Sequence, residues 1–429
     1  MTGTAASADW RDNALAVALF MLPAASLAIP SGYSWGALLL CVLGTLAWRD
    51  SSPPVGTRVI WWGWGMAIAG ISLLWLLPAL MQTPFRLNSL DRPSKFALAL
   101  LALPAAWRMR THHARPLVLG MLTGVLTAAA LAAWQIKVQG MSRAWGHTNA
   151  IHFGNLALLL GLWVWVWTRH GTPAIWQAAG RVALLAGLCT SIASEARGGW
   201  LMAPVLLALV LWLDRPAQAS TKHWHHAATA LLVIGGILSW QWSTISERTR
   251  QAWQEVQLHA QSGTNDTSIG QRLEHWKLAW QMGREKPLTG WGESGYQAEK
   301  QARATRGDIP ALLASFGHAH NEWLEMWAKH GALGLSALIL LLGVPGWVYA
   351  TSWRRSITMS TALPPSDLCR KASISGLVLV IGYLGFGMTQ VMLAHNSGVM
   401  MYLFMNLVFL GLINANSASS SPEPDTEPH

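Results

Sequence analysis

Charge is scarce in this chain. Of its 429 residues only 12% are Asp, Glu, Lys or Arg, against roughly 25% in soluble domains. That shortage excludes an ordinary soluble globular fold. Cysteine is nearly absent as well: Cys41 and Cys189 lie in apolar runs and Cys369 in a basic loop, which rules out a disulfide framework and a thiolate metal site. The N-terminus lacks the basic start and small-residue cleavage site of a signal peptide, so the first apolar run is expected to remain as a helix. No internal repeat is visible.

What fills the space is apolar. Hydrophobic residues make up 52% of the chain, and many of the 27 tryptophans sit at the ends of apolar runs, as in the interfacial belts of membrane proteins. Crossing a bilayer takes roughly 20 apolar residues in a helix. Twelve spans are read, near 13–30, 34–48, 59–81, 94–107, 116–135, 149–168, 175–194, 200–213, 227–243, 331–350, 372–391 and 397–414. Those at 34–48, 94–107 and 200–213 are short. With a cytoplasmic N-terminus, the short cytoplasmic segments hold thirteen Lys/Arg and the short outer loops six, which favours both termini inside. The net charge of +10 thus reads as topology rather than as a nucleic-acid surface.

One segment departs from this pattern. Residues 244–330 form a long outer connection holding ten of the thirty Lys/Arg and ten of the twenty Asp/Glu; long loops with their own structure are usually functional. Within it, "ISERTRQAWQEVQLHAQ" reads as an amphipathic helix and "SGTNDT" as a break. The stretch "SIGQRLEHWKLAWQMGREKP" opens with a capping-box pattern, Ser268 with Gln271, and stops before Pro287. "LTGWGESG" follows as a glycine-rich turn. The organisation expected is 1–243 as the first nine transmembrane helices, 244–330 as a helical loop domain, 331–414 as the last three, and 415–429 as a disordered cytoplasmic tail.

Chemistry is sought on the outer face. In "GHAHNEWLEMWAKHGALGL", a helix running from 320 to 335 would carry His320 at its mouth and Gly331 and Gly334 on nearly the same face, since eleven and fourteen residues return close to the starting direction. The glycines would let a neighbouring helix approach. His320 then reads either as an interfacial histidine on a packed helix or as a rigidly held functional group. A metal site is disfavoured, because His318, His320 and Glu322 alternate and would splay apart on a helix, and the "HWHH" run at 223–226 falls on the other side. Arg197, in the short turn "SEARGGW", is a charge near the hydrocarbon; it either pairs with Glu195, snorkels to headgroups, or serves the site. Arg272 lies one turn inside the helix capped by Ser268, as a solvated charge or as part of the site. Two guanidiniums clamping phosphate oxygens beside a histidine matched to accept a proton near neutral pH suit displacement of a diphosphate by an activated hydroxyl. No paired Asp motif for a divalent ion accompanies them.

These residues resemble the O-antigen ligase family of the O-antigen ligase/polymerase superfamily. Its pattern of His, then Asn, nine residues and glycine, with a small residue three further on, is met by His320-Asn321, Gly331 and Gly334. The "ARGGW" turn with Arg197 matches a second element. An Arg-led helix ending in P-x-x-G-x-G, from Arg272 through Pro287, Gly290 and Gly292, matches a third. The twelve-span layout with one large loop after the ninth agrees. The resemblance implies an all-α polytopic membrane protein, a GT-C-type glycosyltransferase with a helical periplasmic loop domain, in the bacterial inner membrane. It implies a metal-independent, inverting enzyme without a cofactor, moving a glycan from undecaprenyl diphosphate to a sugar hydroxyl of lipid A-core on the periplasmic face, with membrane lipids around it and no nucleic acid. His320 would be the general base and Arg197 and Arg272 would bind the donor diphosphate. Asn321 would orient His320 or bind sugar. Arg86 in "TPFRLNSLDRPSK" and His395 in "MLAHNSG" are supporting candidates, His395 also reading as a polar interfacial cap. An O-antigen polymerase or a protein O-oligosaccharyltransferase would use the same donor. A transporter or flippase for lipid-linked glycans is the non-enzymatic alternative.

Overall fold

The computed structural model describes residues 10–53, 57–81, 85–214, 246–247, 250, 268–358 and 367–418. Among them the regular structure is helical throughout: α1 (Trp10–Ala24), α2 (Tyr33–Ala47), α3 (Arg58–Met81), α4 (Asp91–Leu101), α5 (Leu103–Trp107), α6 (Ala114–Lys137), α7 (Ala150–Thr168), α8 (Ala174–Ala193), α9 (Arg197–Leu213), α10 (Ser268–Glu285), α11 (Gly292–Arg306), α12 (Ala311–Ser315), α13 (Glu322–Thr358), α14 (Asp367–Gly387) and α15 (Asn396–Ala418). Helices are the structure such a sequence must form in lipid, where every backbone N–H and C=O needs a partner within its own segment.

Among the described residues, seven helical stretches are long and apolar enough to cross a membrane: α3, Thr111–Lys137 including α6, α7, α8, Glu322–Ile357 of α13, α14 and Asn396–Ala415 of α15; α2 and α9 are apolar but shorter. The expected spans near 13–30 and 94–107 are helical yet fall short of that measure. The second is divided at Ala102 into α4 and α5, with Pro104 at the start of α5, where its missing N–H breaks no bond. The expected span 227–243, the "HWHH" run, the break "SGTNDT" and, apart from 246–247 and 250, the amphipathic stretch before it lie outside the described residues. Helix α15 runs to Ala418, four residues into the expected tail, whose remainder also lies outside them.

The bundle is built around α7 and α15, whose apolar windows are 94% and 100% buried. Both are apolar all round, as expected of helices at the centre of a bundle. Asn149 starts α7, its Oδ1 accepting the Ile151 N–H at 2.9 Å. Helix ends collect at two levels. At one, Asp214 after α9 meets Arg370 of α14 (3.3 Å), His170 after α7 (3.2 Å) and Arg169 (3.5 Å), and Trp353 Nε1 of α13 donates to Leu213 O at 3.0 Å. At the other lie the α8–α9 and α14–α15 turns, the start of α13, and helices α10 to α12. The latter share a small core of Leu278, Ala279, Met282, Tyr296, Ala319 and Ala328. Asp214 and α10 therefore sit at opposite ends.

Candidate active site at the capped end

The expectation of one helix through 320–335 is corrected by the structure. Helix α13 starts at Glu322, and its direction is broken at Gly331, where φ is 59° and ψ is −149°. That backbone region is essentially reserved for glycine. The break has a visible cause in the "PLTGWG" turn after α10. Ala332 N donates to Pro287 O at 2.8 Å and Leu333 N to Leu288 O at 3.2 Å, so the turn's carbonyls satisfy N–H groups that the break releases. In the other direction, Trp291 N donates to Ala328 O at 3.0 Å. The contact is backbone against backbone: a Cβ on Gly331 would lie 2.6 Å from Leu288 C, and one on Gly290 2.3 Å from Lys329 C. The P-x-x-G-x-G stretch and the glycine of the histidine motif are thus two halves of one joint. The eleven-residue spacing from His320 measures the distance to that joint, not a helical face.

His320 itself precedes the helix, with φ at 52°, a left-handed conformation uncommon outside glycine. Asn321 secures it. Its Oδ1 accepts the N–H groups of Trp323 (3.0 Å) and Leu324 (3.1 Å), capping α13, and its Nδ2 donates to Met388 O at 3.1 Å. The same turn after α14 reaches the histidine ring, whose Nδ1 lies 3.0 Å from Gln390 Oε1. His275 of α10 stands edge-on to the His320 ring with centroids 6.1 Å apart, as does Phe316 at 6.1 Å. Burial pushes the His320 imidazole below its ordinary value. The bond to Gln390 opposes that, while the nearby Arg272 and His318 charges add to it. The group is therefore largely neutral at pH 7, ready to accept a proton.

Arg272 is close enough for its charge to act on His320. It lies on α10 one turn before His275, which places both on the face turned to the histidine. Arg197 is the first residue of α9, and its guanidinium makes no hydrogen bond or ion pair among the described residues. The next residue, Gly198, abuts Thr389, the neighbour of Gln390, so Arg197 borders the turn that holds His320. His395, one of the weaker expectations, is drawn into the cluster: its ring centroid is 5.6 Å from that of His318 and 4.4 Å from that of the fully buried His152. Arg86 is set apart. It is exposed and lines a cavity of about 350 Å³ with Trp75, Arg92, Glu293, His330 and Ala394.

A chain of charges joins that cavity to the histidines. Glu325, 2% exposed, is paired with Lys329, takes the Ala319 N–H at 2.7 Å, and lies 3.2 Å from His318 Nδ1. Lys329 reaches Glu293 at 2.7 Å, and Glu293 reaches Arg92 at 2.8 Å. A carboxylate as deep as Glu325 survives only because it is paired. His330 is buried, accepting the Trp75 Nε1–H at 2.6 Å. Sequence reasoning missed Gln390, His275 and the Glu325–Lys329 pair. His275 carried a signal in its spacing of three from Arg272 on one helix, and Glu325–Lys329 carried one in its spacing of four; Gln390 carried none.

Metal-ligand spacing occurs in one group among the described residues, Asp12, His112 and His113, at the far end of the bundle. His113 Nδ1 accepts the Arg110 N–H at 2.9 Å, so its proton sits on Nε2 toward Asp12, where a metal would need a lone pair. Beside His320 the two nearest carboxylates are engaged, Glu325 as above and Glu322 by the Leu393 N–H at 2.9 Å.

A bundle of apolar helices with a cluster of histidine and arginine side chains at one end defines a multi-pass membrane protein. Residues 182–339 match the family model described as O-antigen ligase. The match spans Arg197, Arg272, His320 and both glycines of the histidine motif, and leaves Arg86, Gln390 and His395 outside it. An uncharacterized protein of Haemophilus influenzae is 24% identical over 404 residues, covering 92% of this chain and 97% of its own length.

Proposed function

We propose that the protein is an O-antigen ligase: a glycosyltransferase that moves a glycan from undecaprenyl diphosphate to a sugar hydroxyl of lipid A-core. The site would face the periplasm, in the bacterial inner membrane, with both termini cytoplasmic. The observation that carries this reading is the convergence of a neutral, anchored imidazole with Arg272 and with the start of α9. In the proposed step the acceptor hydroxyl oxygen attacks the anomeric carbon of the donor's first sugar from the face opposite the diphosphate. The new C–O bond forms as the bond to the diphosphate oxygen breaks, and the leaving group keeps the electron pair. The hydroxyl proton passes to His320. Arg197 and Arg272 bind the diphosphate and offset the charge that develops as it leaves. Asn321 orients His320 through its cap and its bond to Met388 O. Arg86, at its cavity with Arg92, is suited to a phosphate of donor or acceptor, and His395 supports the histidine cluster.

The reaction is proposed to need no metal, because the Arg272 charge acts on His320 while Glu322 and Glu325 are committed to protein partners. Purified protein given lipid-linked glycan and lipid A-core should yield the joined product, His320→Ala should abolish it, and a chelator should leave it intact. Full activity of His320→Ala would sink the base assignment. Chain growth on the donor without use of lipid A-core would replace the ligase reading with a polymerase. Glycan translocation without joining would replace it with a transporter.

A further inference from the structure

Which nitrogen of His320 is the base is decided on the far side of its ring. Nδ1 lies 3.0 Å from Gln390 Oε1, and the Val391 backbone N–H donates to that same oxygen at 3.2 Å. An N–H only donates, so the atom facing it is the amide oxygen and not the amide nitrogen. That oxygen accepts from the ring as well. Nδ1 therefore carries the proton, and Nε2 keeps its lone pair. Gln390 is 2% exposed, so water competes little for the contact.

We propose that Gln390 is the positioning residue of the transfer: its side-chain oxygen holds His320 as the Nδ1–H tautomer and leaves Nε2 as the atom that takes the acceptor's proton. The inference rests on the reading of His320 as the base. It also explains why an amide, rather than the carboxylate that often backs a catalytic histidine, occupies this position. The titratable and charged groups around the ring are Arg272 and His275 from α10, His318 before α13, Glu322 and Glu325 on α13, His395 from the α14–α15 turn, and Arg197 bordering that turn. Of the two carboxylates, Glu325 is neutralised by Lys329 and Glu322 accepts the Leu393 N–H. Such surroundings favour an uncharged imidazole, and an amide orients the ring without reversing that preference. A carboxylate at 390 would favour the imidazolium, filling the base with a proton before substrate arrives.

The test uses the full chain in lipid, labelled with ¹⁵N-histidine, with the His320 signals assigned by difference against His320→Asn. At pH 7.5 the wild type should show a protonated Nδ1 and an unprotonated Nε2. Gln390→Leu should mix or reverse the tautomers and lower kcat about 10- to 100-fold, less than the roughly 10²–10⁴-fold a general base contributes because the base itself remains, with KM within about twofold. Gln390→Glu, nearly isosteric, should show both nitrogens protonated and move the acidic limb of the pH–rate profile upward by about one unit. It decides the matter should the leucine variant fail to fold. Gln390→Asn, a shorter amide, should restore less than the wild-type rate. An unchanged tautomer and kcat in Gln390→Leu, a loss confined to KM, or an unmoved limb in Gln390→Glu would overturn the positioning role. That outcome is separable from failure of the base reading itself, which His320→Ala reports independently.

Discussion

Replacing Gly331 by alanine tests whether the joint between the "PLTGWG" turn and α13 holds the site together. The added methyl would meet Leu288 C and O at 2.6 Å and Pro287 O at 2.7 Å, all backbone atoms that cannot swing aside. A side chain at φ 59° and ψ −149° costs roughly 1–3 kcal/mol in strain alone. Pushing the turn away also loses the bonds from Ala332 N and Leu333 N, about 0.5–1.5 kcal/mol each. The total is about 2–6 kcal/mol, concentrated where α10 is tied to the segment carrying His320. Gly343, further along the same helix, has nothing within 4 Å of a built Cβ, and alanine there should be neutral or stabilise by roughly 0.5–1 kcal/mol. The assay is thermal unfolding of both variants in one detergent, followed by glycan transfer. Gly331→Ala should melt well below the wild type and lose transfer, while Gly343→Ala should match or exceed the wild type in both. A Gly331→Ala protein that melts and works like the wild type would refute the account of the joint.

Other consequences follow from the same geometry. Lys329→Met leaves Glu325 buried without its cation and should cost about 3–5 kcal/mol; adding Glu325→Gln should recover much of that in the same melt, and no recovery would contradict the pairing. Asn321→Ala removes the cap of α13, worth about 1 kcal/mol, together with the tie to Met388 O, and should reduce transfer more than its loss of stability accounts for. Transfer should be level above about pH 6.5, the ordinary histidine value, and fall below it, because burial and the Arg272 charge hold His320 below that value; a plateau beginning well above pH 7 would contradict a lowered base. Burial lowers His275 and His395 to about 4. As pH falls, the unfolded chain takes up protons first, so stability is full above about pH 6.5 and declines toward pH 4, readable as a pH series of denaturation midpoints.

Much of this molecule is legible without coordinates. Apolar runs announce helices because lipid leaves the backbone no other partners, a constraint local to each run. The Arg197 turn, the Arg272 helix and the His320–Gly331 spacing are likewise visible as residue types at fixed distances along the chain. The reason for that spacing is not. A helical wheel puts Gly331 beneath His320, whereas the glycine is needed where the turn carrying Pro287 and Leu288, earlier in the chain, presses its carbonyls against α13 at Gly331 and its neighbours. No periodicity records such a contact.

The sequence by itself determined the class of protein, the helices, and which arginines and which histidine deserved attention, because those depend on composition and short-range spacing. Only the tertiary structure decided which of them meet. It drew His395 to His318, left Arg86 at a separate cavity, and put Gln390, 70 residues from His320, against the ring nitrogen that sets the tautomer. The physical reason is that hydrogen bonds and charge pairing at a site act over a few ångströms in space. The turns that supply them, after α8, α10 and α14, are brought together by packing around α7 and α15, with no trace in the residues between.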